Sequence, residues 1–532
     1  MQTRLQALAP QWLRGLRRGI EKESLRTRRD GFLALTPHPA ELGSALAHPH
    51  ITTDFSEAQL ELITGVHASA PDCLAELIEL HQFVYRHIGD EILWGASMPC
   101  GLPEENRIPL ARYGISNVGR AKTVYRQGLS HRYGRRMQTI SGIHYNFSLP
   151  EAAWAALQRA DGIPGSDRDY RDEKYFGLIR NFRRHSWLLL YLFGASPAIC
   201  GSFLDGQEHG LQWLGSGTLG LPHATSLRMG PLGYQSDAQA SLAVSFNCLE
   251  SYAASLSKAL SEPWPAYEAI GVHDADGRYR QLATTLLQIE NEFYGTIRPK
   301  RSIRPGERPL RALGERGVEY IEVRCLDIDP FEPVGIGVST MHFLDVFLLH
   351  CLLADSAPDT PQQIAAISRN QYRVAQYGRE PGLMLDENGH QRALREWGET
   401  LLDDCEPIAT ALDAALLSEG AAQPASATPH GDALASARRA LADAGQTPSA
   451  RQLDWVRSSG EGSFRGFALA RSLAHRDELL ARPLDAQADA RQQAAVRASL
   501  AAQETIEAAD SVPFETWRQR YIAGELGSSA ET

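Results

Sequence analysis

The chain has 532 residues, 43% of them hydrophobic and 22% charged, with a net charge of −11. That length supports a large core and more than one structural unit, and the acidic balance disfavours nucleic acid or an anionic membrane as the main partner. Seven scattered cysteines without a C-x-x-C pair exclude a disulfide framework or a zinc ribbon and suit a reducing compartment.

The Arg-rich opening MQTRLQALAPQWLRGLRRG lacks the apolar stretch of a secretory signal. GIEKESLR (19–26) follows. In a strand, Glu21 and Glu23 share one face and repel, so water or a positive charge must lie between them. Taken alone, these residues fit a solvated edge. TTDFSEAQLELIT (52–64) is predicted to be a helix. Thr and Asp are good caps, Glu57 three residues after Asp54 makes a capping box, and Asp54, Glu57 and Glu61 share one face. Apolar spacing predicts further helices over 74–94 and 239–260. Between them, GIHYNFSLP (142–150) alternates. Ile143, Tyr145, Phe147 and Leu149 form one face, and His144, Asn146 and Ser148 the other, as in any half-solvated strand.

WLLLYLF (187–193) and FLLHCLLA (347–354) are too short to cross a bilayer and read as buried elements. GSGTLG (215–220) matches G-x-G-x-x-G, but no apolar strand precedes it and Leu221-Pro222 follows, so a flexible loop is predicted rather than a dinucleotide turn. There is no P-loop. TLLQIENEFY (285–294) is predicted to be a strand with Gln288, Glu290 and Glu292 on one face. IRPKRSIR then supplies Arg298, Lys300, Arg301 and Arg304, either a phosphate-holding cluster or a solvated basic loop. In GVEYIEVRCL (317–326), Ile321, Val323 and Cys325 face one way; Tyr320, Glu322, Arg324 and Leu326 face the other. A charged pair bracketed by an aromatic and an aliphatic residue predicts a covered cleft, where charge must be paired or bind metal. Beyond 336 the chain reads as helical, with a loop at 418–432. Helices and strands mix without a β-α-β rhythm. The predicted class is therefore α+β with an antiparallel sheet: a catalytic core over 1–335 and a helical part over 336–532 packed on it.

Glu21, Glu23, Asp54, Glu61 and Glu322, with the imidazole of His144, form a hard ligand set that suits Mg²⁺ or Mn²⁺ better than zinc or copper. Next to arginine and lysine, such ions point to a nucleoside triphosphate.

GIEKESLR, ITTDFSEAQLELIT, SMPC, YGISNVGRAKTVYRQGL, MQTISGIHYNFSLP, YLFGASPAIC, ATSLRMGPLGY, LQIENEFYGTIRPKR and GVEYIEVRCLDIDPF occur in this order. Together they resemble the proteobacterial-type glutamate–cysteine ligases, closely from Gly15 to Pro333 and loosely beyond. Cys325 and Asp329 are small departures. The resemblance implies a glutamine-synthetase-like fold, whose curved antiparallel sheet carries metal ions on its concave face. It implies ATP-dependent joining of the glutamate γ-carboxylate to the cysteine amine through γ-glutamyl phosphate, the first step of glutathione biosynthesis. It also implies a cytoplasmic monomer inhibited by glutathione. On this resemblance, Glu21, Glu23, Asp54, Glu61, His144 and Glu322 bind Mg²⁺. Arg324 stabilises the transferring phosphoryl group, and Arg298 and Lys300 contact the nucleotide. Arg228 pairs with the glutamate carboxylate, Tyr125, Arg126 and Tyr234 surround the cysteine, and Asn146 contacts substrate. A metal-dependent hydrolase and a non-catalytic sensor are the rival classes. ADP release that needs both amino acids separates the ligase from both.

Overall fold

In the computed structural model, the structure describes residues 1–526 except 205, 207, 233–236, 241, 243, 305, 419–425, 459–461 and 484. Its centre is an antiparallel sheet of β1 (Arg17–Thr27), β2 (Ile51–Thr53), β3 (Gln59–Ile63), β4 (Ile92–Leu93), β5 (Ile143–Ser148), β6 (Ile297–Lys300) and β7 (Tyr320–Leu326). The main order is β2-β3-β1-β5-β7-β6, with β4 paired to the end of β1.

Register decides the two faces. Glu21 pairs with His144, Glu23 with Glu61, Glu322 with both Asn146 and Arg298, and Tyr320 with Lys300. Directly opposed residues share a face, so the polar positions of five strands fall on one side. Ile20, Leu60, Leu62, Ile143, Tyr145, Phe147, Ile321 and Val323 fall on the other, in the main core. That face is covered by α1 (Ala70–His87) against β1 and β3 and by α3 (Asp167–His185) against β6. Behind both lies α4 (Val338–Leu353). The core runs from Leu8 to Leu479, so helices after residue 336 share it with the sheet.

Arg18 and Lys22 of β1 are buried on the core side. Arg18 pairs with Asp345 of α4 at 2.9 Å, and the Tyr145 hydroxyl donates to the same carboxylate at 2.8 Å. Lys22 points away from its glutamate neighbours and lies 2.8 Å from His81 Nε2, while His81 Nδ1 sits 2.7 Å from the Leu77 carbonyl. A carbonyl only accepts, so Nδ1 carries the proton and Nε2 accepts from Lys22. Burial pulls the Lys22 ammonium down to about 7.

The structure corrects several sequence expectations. Residues 52–64 form the β2–β3 hairpin, not a helix. The predicted Asp54–Glu57 capping box is absent: the Glu57 carboxylate accepts from the backbone N–H groups of His38 at 2.7 Å and Arg112 at 2.6 Å. Residues 285–294 contain a 3₁₀ turn at Glu290–Glu292 in place of a strand. The 239–260 helix starts only at Leu249, and the 74–94 helix is shifted to Ala70–His87. GSGTLG is the turn and second strand of a hairpin, Gln212–Gly215 with Thr218–Gly220. A register shift in β7 sets Arg324 and Cys325 against His144 and pairs Leu326 with Ile143. Leu326 therefore faces the core, not the cleft. Within 418–432, residues 419–425 lie outside the described residues, and a helix begins at Pro429.

Candidate active site

The polar face of the sheet floors a cleft of about 390 Å³. Its walls include the 52–55 hairpin turn, helix α2 (Asn117–Tyr133) through Lys122, Tyr125 and Arg126, and the chain from Ile289 to Pro309. Ser116 caps α2 by accepting from the Gly119 N–H at 3.2 Å, which fixes the helix start and the direction in which these three side chains point.

His144 stands among the floor carboxylates. Its Nδ1 is 3.2 Å from Glu21 and 3.6 Å from Glu322, and its Nε2 is 3.6 Å from Glu23. Glu322 also meets Arg324 at 3.1 Å and Lys300 at 3.3 Å. Its second oxygen, Oε2, is buried without a hydrogen-bond partner. Glu23 is steadied by the Gly142 N–H at 2.8 Å, and Asn146 donates to Glu21 at 2.9 Å. Asp54 lies in the hairpin turn. Its carbonyl accepts from the Tyr113 hydroxyl at 2.9 Å and from Arg126, and its side chain borders the cleft.

Electrostatics divides the acids. Burial and the charges of Glu21, Asp54 and Glu23 push Glu61 well above the usual carboxylate range. Burial and Asp54 raise Glu23 as well. Burial and Glu322 also oppose ionisation of Glu21, yet a hydrogen bond to His144 and the charge of Lys300 leave it below its usual value. Although Glu322 is buried, Lys300 and Arg324 hold it far below the usual range. On the walls, burial lowers Lys122 to about 8 and Arg298 to about 10, and raises the Tyr125 hydroxyl.

The donor set fits a hard divalent cation. One donor atom each from Glu21, Glu61 and His144 lies within 4.8 Å of the others. The unpartnered Glu322 oxygen and the two acids raised by burial and neighbouring carboxylates, Glu23 and Glu61, all call for positive charge. Oxygen donors with one imidazole suit Mg²⁺ or Mn²⁺.

Of the residues singled out in the sequence, Glu21, Glu23, Asp54, Glu61, Tyr125, Arg126, His144, Arg298, Lys300, Glu322 and Arg324 line this one cleft. Asn146 does not; it braces Glu21 from the floor. Arg228 is buried off the cleft, 3.6 Å from Asp327 and donating to the Arg324 carbonyl at 3.0 Å. In this geometry it supports the Arg324 strand. Tyr234 lies outside the described residues. Of the supposed acidic strand, Glu290 reaches the cleft edge, paired with Arg308 at 2.8 Å. Glu292 is buried against Arg132 at 2.8 Å. Sequence reading missed Lys122, three residues before Tyr125 and so on the same helical face. It also missed Gln138, Tyr294, Trp517 and Tyr521. For the last two no local signal exists, since Trp517 and Tyr521 come from a helix near the C-terminus.

A cleft floored by crowded carboxylates, walled by guanidinium and ammonium groups and set on an antiparallel sheet belongs to an enzyme that gathers several anionic groups in one place. Comparison with known proteins makes this specific. The sequence model of the glutamate–cysteine ligase family matches residues 3–374. Glutamate–cysteine ligase of Alcanivorax borkumensis is 48% identical, with 97% of this chain and 98% of the relative covered. That of Azotobacter vinelandii is 50% identical over 97% and 96%. The crystal structure of the Francisella tularensis glutamate–cysteine ligase in complex with AMP superposes with a TM-score of 0.88 at 37% identity, covering 96% of this chain and 98% of that one. A bifunctional glutathione synthetase from Pasteurella multocida gives 0.69 at 27% identity, covering 89% of this chain and 54% of that one. The chain belongs to the glutamate–cysteine ligase family. Among the described residues, no helix is long and apolar enough to cross a membrane.

Proposed function

We propose that this chain joins the γ-carboxylate of L-glutamate to the amine of L-cysteine with conversion of ATP to ADP and phosphate, and that the sheet-floored cleft is where this happens. The observation that carries the reading is the convergence of Glu21, Glu23, Glu61, His144 and Glu322 with Arg298, Lys300 and Arg324 on one face of one sheet. The AMP held by the Francisella relative supports a nucleotide here.

A carboxylate is a poor electrophile near neutral pH. Transfer of the γ-phosphoryl group to a glutamate oxygen makes an acyl phosphate and releases ADP. The deprotonated cysteine amine then attacks the carbonyl carbon, and phosphate departs with the C–O electron pair. Glu21, Glu23, Asp54, Glu61, His144 and Glu322 would hold Mg²⁺, which when bound neutralises phosphate charge and orients phosphate oxygens. Arg324, fixed against Glu322 at 3.1 Å, presents its fork to the transferring group. Lys300 and Arg298 face the remaining phosphate charge. Lys122 and Arg126 border the cleft opposite the sheet, where a second anionic substrate would rest. Tyr125 lines the wall beside them. Arg228 holds the Arg324 backbone, and its guanidinium would pair with the glutamate carboxylate.

The test is ADP release with Mg²⁺ and ATP while each amino acid is omitted in turn. Release that needs both glutamate and cysteine supports the ligase. ATP hydrolysis indifferent to the amino acids, or substrate binding without turnover, overturns it.

A further inference from the structure

Two of the seven cysteines, Cys100 and Cys200, are far apart in sequence and meet in the fold. Cys100 lies in the irregular segment after β4, and Cys200 ends a short strand, Ala198–Cys200. Both belong to the second hydrophobic cluster, with Phe203, Leu204 and Phe467. Cys100 is buried and Cys200 half-buried. The Cys100 thiol hydrogen-bonds to the Cys200 sulfur. Cys200 Sγ also lies 3.1 Å from the Ser202 hydroxyl, and the backbone N–H groups of Ser202 and Gly101 add to its donors. Donors gathered around one sulfur favour its thiolate. The Cys100 hydrogen bond, more than the others, pulls the Cys200 thiol down to about 5, and the same bond together with burial pushes Cys100 up. The remaining cysteines differ. Burial raises Cys73, Cys325, Cys351 and Cys405, and the Cys248 sulfur is engaged in capping the helix Leu249–Ser261.

We propose that Cys100 and Cys200 are a thiol–disulfide exchange site: Cys200 takes up a low-molecular-weight disulfide, and Cys100 resolves it into an internal bond that slows the reaction in the cleft. The exposures set the order. An outside disulfide, R–S–S–R, reaches the half-buried sulfur of the pair and not the buried one. The Cys200 thiolate attacks it, one RS⁻ leaves, and a Cys200–S–S–R mixed disulfide remains. Cys100 has then lost its acceptor and gives its proton to solvent, while the Arg465 guanidinium favours the thiolate left behind. That thiolate attacks the Cys200 sulfur and expels the second RS⁻. The two protein thiols lose two electrons and two protons, and R–S–S–R becomes two RSH. The bond reaches the cleft through its neighbours. At about 2.05 Å, an S–S bond is shorter than a hydrogen-bond contact between thiols, so closing it draws the two segments together. On the Cys100 side, the Ser97 carbonyl accepts from the Ser141 N–H at 3.0 Å, and the next N–H, of Gly142, holds Glu23 of the floor at 2.8 Å. On the Cys200 side, the Ser202 carbonyl accepts from Arg136 at 2.8 Å, and Gln138, two residues on, lines the cleft. The slowing, though not the exchange, rests on the ligase reading above.

The experiment exposes wild type, Cys100→Ser, Cys200→Ser and Cys248→Ser to 2-hydroxyethyl disulfide, then reads alkylated peptides by mass without reduction and ADP release by assay. In wild type, two of the seven thiols should disappear, and the peptides holding Cys100 and Cys200 should appear as one linked species. Cys100→Ser should keep a hydroxyethyl-thiol adduct on Cys200 with no internal bond. Cys200→Ser should leave Cys100 free, and Cys248→Ser should behave as wild type. A misplacement of about 1 Å can cost up to about 10²-fold, so oxidised wild type should release ADP at least about threefold more slowly, and dithiothreitol should restore the rate. The wild-type peptide map needs no variant, so a serine variant that fails to fold leaves the test intact. Wild-type Cys100 and Cys200 that stay free, a bond between other cysteines, or a linked pair with unchanged ADP release overturns the proposal while the ligase reading stands. A wild-type protein that releases no ADP before oxidation overturns the ligase reading, and the peptide map still decides the exchange pair.

Discussion

Glu61→Gln removes the charge that the cleft floor tolerates least in the metal-free protein. A Glu61 oxygen lies within 4.8 Å of donor atoms of both Glu21 and His144, and Asp54 and Glu23 add their repulsion. At 4.8 Å two unit charges repel by about 3.5 kcal/mol at an effective dielectric of about 20, and by about half that if the cleft is wetter. The acid can escape by taking up a proton, at about 1.4 kcal/mol per pH unit, so the cost is capped. Because the folded value of Glu61 is raised, its contribution to metal-free stability is present at acidic pH, below the unfolded value near 4.3. It is lost as pH rises through the folded value. Near pH 8, glutamine should therefore stabilise the metal-free protein by about 1–3 kcal/mol, on the order of 1–3 °C in Tm for so long a chain. Glu21→Gln should bring no such gain, since His144 and Lys300 already favour the Glu21 charge. Mg²⁺ with nucleotide at about a hundred times its Kd should add about 2.7 kcal/mol to wild type and much less to Glu61→Gln, which should also lose ligase activity. The assay is a set of thermal melts from pH 6 to 8.5, in chelator and in Mg²⁺-nucleotide. A variant less stable than wild type in chelator throughout, or a gap that does not grow with pH, would refute the account of the floor as a cation-demanding cluster.

Arg324→Lys keeps the charge beside Glu322 but loses the fork; kcat should fall roughly 10²–10³-fold, and near wild-type kcat would make Arg324 structural. Glu57→Ala leaves the backbone N–H groups of His38 and Arg112 without their carboxylate partner; it should cost about 1–2 kcal/mol in a denaturant melt with little change in KM for any substrate. L-2-aminobutyrate, which replaces the cysteine thiol with a methyl group, should serve as a poorer acceptor by roughly 1–3 kcal/mol in kcat/KM, and complete rejection would mean that the pocket reads the sulfur itself.

The site was legible where a two-residue period had no competitor. His144 and Asn146 alternate with Ile143, Tyr145 and Phe147, and Glu322 and Arg324 with Ile321 and Val323, so their faces could be assigned before their neighbours were known. Where two periods coexist, local pattern fails. In 52–64, Asp54, Glu57 and Glu61 fit a helical face as well as Gln59 and Glu61 fit a strand alternating with Leu60 and Leu62. What settles it is the pairing of Glu23 with Glu61, a contact with β1 that no window around residue 61 contains. Glu292 misled for a related reason. It reads as one of three polar residues on a strand face, but its partners Arg132 and Tyr133 lie about 160 residues away, and they pull the segment into a buried 3₁₀ turn. The register shift at Arg324 is a third kind of miss: one added residue sends Leu326 to the core, and alternation cannot register an insertion. Trp517 and Tyr521 show the limit most plainly. FETWRQRY falls in the stretch read only as helical, and only its docking on α2 through Phe514 brings Trp517 and Tyr521 to the cleft. Residue chemistry and strand period therefore place the floor of this site, whereas its walls and mouth depend on contacts between distant segments.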